Sequence, residues 1–108
     1  MRIGTDIVHI PRLAAQIDQL GPALLDRVFT ADEQHHCAGR AESLAARWAA
    51  KEAVIKAYGW QLQDVDLTHI EVVDEGRPAV VLHGLDAQVL DVSLAHDGEY
   101  AIAVVLVG

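Results

Sequence analysis

The segment SLAARWAAKEAVIKAYG, Ser43 to Gly59, constrains the fold more than any other part of the chain. From Ser43 to Tyr58 it has no glycine or proline and is rich in alanine, and it stops at a glycine suited to the left-handed residue that closes a helix. A long helix over 43–58 follows, and the rest of a 108-residue chain must pack around it. That length suits one domain, 1–108, with a single core burying roughly two thirds of its unfolded surface.

The charges on this helix are unexpected. The chain has a net charge of −8, yet three of its eight basic residues, Arg47, Lys51 and Lys56, fall here beside one acid, Glu52. At about 100° per residue, Glu52 and Lys56 share the apolar face of Ala45, Trp48, Ala49 and Ile55, while Arg47 and Lys51 lie together on the neighbouring face. The Glu52 to Lys56 spacing also fits a plain solvated pair worth about 0.3 kcal/mol. Arg47 and Lys51, however, repel at i,i+4 unless an anion or carboxylate lies between them, so a phosphate gripped there is the functional reading.

The flanking elements follow from punctuation. RIGTDIVHI, residues 2–10, alternates as a strand, and Pro11 begins a helix that runs to about Gln19 before Gly21 and Pro22 break it. A short helix is expected over 22–27, and Thr30 with Glu33 has capping-box spacing for another. Residues 67–74 and 77–84 flank Glu75-Gly76 as a hairpin, and 89–96 meets 99–107 across Asp97-Gly98. The fold class is α+β: an N-terminal strand, a helical middle, and an antiparallel sheet packed on the long helix.

Composition removes several function classes. A pI near 5 and scattered Lys and Arg argue against nucleic acid as the main partner. The longest wholly apolar run, 100–107, is too short to span a bilayer. A single cysteine, Cys37, excludes an internal disulfide, and Asp6 interrupts any signal-peptide core, so a cytoplasmic protein is expected. His35, His36 and Cys37 are adjacent on a helix and point in different directions, while His69 and His83 lack ligand spacing; all are read as structural.

Asp6 stands in the middle of a β-branched strand, where aspartate is depleted. It reads either as a solvated edge residue or as a ligand. Paired with Glu52 it offers two hard oxygens, the donors Mg²⁺ takes when substrate phosphates and water complete its octahedron; Mn²⁺ would suit the same set.

Five blocks, GTDIVHIPR, RVFTADE, SLAARWAAKEAVIKAYG, DLTHIEVVDEGRPAVVLHG and VSLAHDGEYAIAVV, resemble in order and spacing the holo-acyl-carrier-protein synthases. These are the small trimeric members of the 4′-phosphopantetheinyl transferase superfamily. The resemblance spans nearly the whole chain, and its most specific element is the strand-one Asp combined with AAKEAVIKAYG. It implies Mg²⁺-dependent transfer of phosphopantetheine from coenzyme A to a serine of an acyl carrier protein, in fatty-acid or polyketide synthesis. It also implies a homotrimer with active sites between subunits. Asp6 and Glu52 match the family's metal ligands and, with Lys56, its catalytic positions. Lys56, Arg47 and Gly59 match the coenzyme A cleft, to which Lys51 is added as a further phosphate candidate, and His96 matches the family's histidine. Arg12 and Arg27 are placed at the carrier-docking surface, on helices whose charge is offset by Asp18 and Asp26. Trp48 stands where relatives commonly have Phe, read as a packing change.

Two other readings compete. A catalytically silent trimer could bind coenzyme A or carrier protein without transfer, but such a binder needs neither Asp6 nor Glu52. A small interaction module with no ligand would leave Arg47 and Lys51 unexplained.

Overall fold

The structure, a computed structural model, describes residues 1–108. Strand β1 (Arg2–His9) runs directly into helix α1 (Ile10–Leu20), where the His9 ring nitrogen Nδ1 accepts the Arg12 N–H at 3.3 Å and Pro11 occupies the first turn. Gly21, at φ 56°, separates α1 from α2 (Pro22–Val28). Helix α3 (Ala31–Cys37) carries the capping box expected from Thr30 and Glu33: each side chain accepts the other's backbone N–H.

Helix α4 (Ala41–Tyr58) starts two residues before the expected Ser43 and ends on Gly59 at φ 70° and ψ 25°. Beyond it come two single 3₁₀ turns, at Leu62–Asp64 and Leu67–His69, then β2 (Ile70–Asp74), β3 (Pro78–Leu82), β4 (Val89–Asp97) and β5 (Tyr100–Val107). Residues 67–69, expected as strand, are therefore helical. Asp66 accounts for this, since its Oδ1 accepts both the backbone N–H and the hydroxyl of Thr68 and so holds the chain in a turn. The final turn is shifted by one residue from expectation: Asp97 pairs with Tyr100 across Gly98 and Glu99.

The strands form two antiparallel sheets, one ordered β1-β5-β4 and the other a β2-β3 hairpin. Helix α4 crosses the inner face of the larger sheet, where Ala103, Val105 and Val107 of β5 and Val92 of β4 are buried in one cluster with Ala49, Ala53 and Val54, and Ala101 of β5 in a second with Ala45 and Ala46. Small residues let the layers close. At Gly4 of β1 an added Cβ would stand 2.0 Å from the Ala53 carbonyl oxygen, so no other residue fits without moving the helix. The contact lies two residues from Asp6, on the same face of the strand.

The outer face of that sheet is apolar and open: Ile3, Ile7, Ile102 and Val104 are exposed, and Ile7 pairs in register with Ile102. No helix is long and apolar enough to cross a membrane.

Helix α4 is enclosed on most of its circumference, including the face that carries Arg47 and Lys51. Lys51 has no solvent exposure and donates from Nζ to Glu33 Oε1 at 2.7 Å and to the Leu67 carbonyl at 2.9 Å. The other Glu33 oxygen accepts the Val72 N–H at 2.9 Å. This corrects the sequence expectation: the anion beside Lys51 is the chain's own carboxylate, brought from α3, and Lys51 is a core residue that coenzyme A cannot reach. Burial pulls its pKa below the usual lysine value, with Glu33 working against that fall.

Candidate active site

Asp6 faces α4 because β1 alternates, and Gly4 draws the two backbones together. Its carboxyl is 8% exposed. Oδ1 accepts a hydrogen bond from Lys56 Nζ at 2.7 Å, while Oδ2 is buried with no partner in the chain. An orphaned carboxylate oxygen of this kind carries a desolvation cost unless a donor or cation meets it.

Glu52 lies one helical turn before Lys56 and beside Asp6. Burial, and then the neighbouring Asp6, push its carboxyl up to about 6, against the pull of Trp48 and Lys56. The Trp48 indole N–H donates to Glu52 Oε1 at 2.9 Å. Two carboxyl groups forced together, one with a buried oxygen left over, form a hard-oxygen donor set that suits a divalent cation such as Mg²⁺. No third carboxylate, histidine or cysteine joins them, so further ligands would have to come from substrate and water.

Lys56 keeps its ammonium group largely in water, with 58% of the side chain exposed. The hydrogen bond to Asp6 holds its pKa above the ordinary lysine value. One of its three N–H donors is taken by Asp6, leaving two for an arriving anion.

Glu52 and Trp48 together border two cavities. The larger, about 790 Å³, lies between α2 and the 3₁₀ turns and is lined also by Leu24, Arg27, Val65 and Thr68. The smaller, about 210 Å³, lies between β1 and α1 and includes His9, Arg12 and Gln16. Two openings thus meet at one carboxylate.

Of the residues singled out in the sequence, Asp6, Glu52 and Lys56 are brought together and Arg12 borders the same carboxylate. Arg27 lines the larger cavity and Arg12 the smaller. Gly59 caps α4, its N–H donating to the Lys56 carbonyl at 3.2 Å. Arg47, expected at the coenzyme A cleft, is instead buried beside Cys37 and lines neither cavity, because its face of the helix is covered by the core. One of its Nη atoms donates to the Ser43 carbonyl at 3.5 Å, its Nε lacks a partner, and its charge works against the upward push of burial on the Cys37 thiol. His96 is exposed on β4, paired in register with Ala101, and lines neither cavity.

Sequence reasoning missed the bond from Trp48 to Glu52. Its signal was the i,i+4 spacing on a shared face, the same spacing that singled out Lys56. The link between Lys51 and Glu33 had no local signal, since the partners are 18 residues apart.

Comparison with known proteins places these features in context. Residues 2–105 match the model of the 4′-phosphopantetheinyl transferase superfamily. A holo-[acyl-carrier-protein] synthase of Gloeobacter violaceus is 44% identical, over 98% of this chain and 91% of the relative. Among solved structures, the Helicobacter pylori holo-[acyl-carrier-protein] synthase in complex with coenzyme A superposes with a TM-score of 0.90 at 29% identity, covering 98% of this chain and 99% of that one. The Chronobacterium ammoniagenes synthase bound to coenzyme A gives a TM-score of 0.86 at 35% identity, covering 98% and 95%.

Proposed function

The chain belongs to the 4′-phosphopantetheinyl transferase superfamily, and from that premise we propose that it is a holo-[acyl-carrier-protein] synthase, transferring 4′-phosphopantetheine from coenzyme A to a serine of an apo acyl carrier protein. The observation that supports the assignment to this site is the grouping of the unpartnered Asp6 oxygen and Lys56 with Glu52, the carboxylate that borders both cavities.

In the reaction the serine Oγ forms a bond to the β-phosphorus of coenzyme A. The bond from that phosphorus to the bridging oxygen breaks, and adenosine 3′,5′-bisphosphate leaves. Asp6 and Glu52 are the residues that would hold Mg²⁺, or Mn²⁺, which when bound neutralises charge on the pyrophosphate. The serine proton passes to Glu52, the carboxylate that borders the small cavity. Lys56 directs its two free N–H donors at the leaving phosphate, where negative charge grows as the bridging bond breaks. The large cavity is assigned to coenzyme A, and Gly59, which closes the helix one turn beyond Lys56, matches the family's position at that cleft. The small one receives the serine, with Arg12 meeting the acidic carrier and Arg27 adding positive charge from the far side.

One transferase domain spans 1–108. A homotrimer with sites between subunits is supported by the open apolar face around Ile7 and Ile102, which water alone covers in a single chain. A cytoplasmic enzyme of fatty-acid synthesis fits the single free cysteine.

Incubation of apo acyl carrier protein with this protein, coenzyme A and Mg²⁺, followed by mass spectrometry, tests the reading. A mass gain of one phosphopantetheine, lost with EDTA, is expected. Coenzyme A binding without any gain across several carriers would replace the transferase with the silent binder.

A further inference from the structure

Trp48 occupies an unusual place. It is the only side chain besides Glu52 that borders both cavities, so the pair forms the wall between them. The ring is held from behind by Phe29 in an edge-to-face contact, with centroids 6.1 Å apart and planes at 80°. Phe29 is in turn buried beneath the Lys51 ammonium, which stands 5.5 Å from its centroid. The half-buried indole is braced on one side by Phe29, and its N–H, which can only donate, points at Glu52 Oε1 at 2.9 Å.

A glutamate on a helix face has three rotatable bonds and would otherwise sample several rotamers. Here one oxygen is tied to a rigid donor. The same carboxyl also lies against Asp6, whose own Oδ2 lacks a partner. Glu52 is thereby held in a single orientation before any ligand arrives, the condition under which a site binds and reacts without first ordering itself.

We propose that Trp48 is a positioning residue for Glu52: its indole N–H holds one carboxylate oxygen so that the second is presented, with Asp6, to a divalent cation. The inference rests on the transferase reading above and adds to it a residue that touches neither the cation nor the phosphates. Its chemistry is a charge-assisted hydrogen bond, so removing the N–H while keeping the ring should loosen cation binding about tenfold.

The test replaces Trp48 in the full chain by benzothienylalanine, which has the indole shape with sulfur in place of N–H, alongside Trp48→Phe. A Trp60→Phe background leaves Trp48 as the sole indole reporter. Mn²⁺ binding is followed by electron paramagnetic resonance, and Mg²⁺ binding by the fluorescence of Trp48. The expected results are a change in indole emission on adding Mg²⁺, and a rise of about tenfold in the Mn²⁺ dissociation constant of both variants. Coenzyme A affinity should be unchanged, and turnover should recover as Mg²⁺ is raised. If the benzothienyl variant binds Mn²⁺ as tightly as the parent, or if its lost turnover is not restored by excess Mg²⁺, Trp48 is a packing residue and the proposal fails. A parent protein that binds no Mn²⁺ and modifies no carrier overturns the transferase reading itself, and this inference with it.

Discussion

Lys56 Nζ stands 2.7 Å from Asp6 Oδ1, joining a largely exposed ammonium to a buried carboxylate whose second oxygen has no partner. The pair is asymmetric, and so are the consequences of cutting it. Much of the Lys56 charge is already screened by water, so Lys56→Ala should lower stability by only about 1 kcal/mol. Turnover with coenzyme A should fall about 100-fold, the scale seen when a donor aimed at developing charge is removed. Denaturant unfolding beside steady-state kinetics separates the two; equal losses in both would make Lys56 structural.

Lys51, five residues earlier on the same helix, should behave in the opposite way. Its salt bridge to Glu33 has no solvent exposure at either end. Lys51→Met leaves Glu33 charged and buried and should cost about 3–5 kcal/mol, whereas Lys51→Met combined with Glu33→Gln should recover part of that loss. A double-mutant cycle by urea denaturation measures the coupling. A single variant as stable as the parent would show that Glu33 is already satisfied by Thr30 and Val72 alone.

The pH dependence of stability should report Glu52. Its carboxyl titrates at about 6 in the folded chain against a usual value of 4.5, so between those pH values the folded state holds a proton that the unfolded chain has released. The favourable contribution is present at the acid end and is lost as pH rises through about 6. In EDTA, Glu52→Gln should therefore melt higher than the parent at about pH 7.5 and at nearly the same temperature near pH 4.5. Added Mg²⁺ should stabilise the parent alone, since only it retains both carboxylates. A parallel pair of Tm profiles would contradict the assignment.

The open sheet face yields a test of assembly. Ile7 and Ile102 are register partners at its centre, and both are exposed. Ile7→Asp with Ile102→Asp should give a folded monomer by light scattering, with unchanged far-ultraviolet circular dichroism and little turnover, because the proposed cleft between subunits would no longer form. A variant that remains trimeric would move the interface elsewhere.

The parts of the molecule legible in the sequence are those governed by neighbours along the chain. The α4 helix and its Gly59 stop, the Thr30 and Glu33 capping box, and the alternation that puts Gly4 and Asp6 on one side of β1 all follow from spacing over a few residues; which side faces the helix does not. The 3₁₀ turn at Leu67–His69 was read as strand because apolar alternation was weighed above the turn-forming side chain of Asp66. Within the site, the grouping of Asp6, Glu52 and Lys56 came from residue type and resemblance. The fate of Lys51 could not be read, because whether a lysine meets solvent, ligand or a buried carboxylate is decided by a helix 18 residues away. Charge on a helix identifies a need for a partner and says nothing of which one.

Gly4 carries a different kind of consequence. Because the β1 and α4 backbones touch through it, the distance between the strand carboxylate and the helix carboxylate is set by main-chain contact rather than by packed side chains. A larger residue at that one position, which contributes no chemistry of its own, would push the strand and the helix apart and carry the two acids with them. The spacing of the two acids is heritable through the smallest residue in the chain.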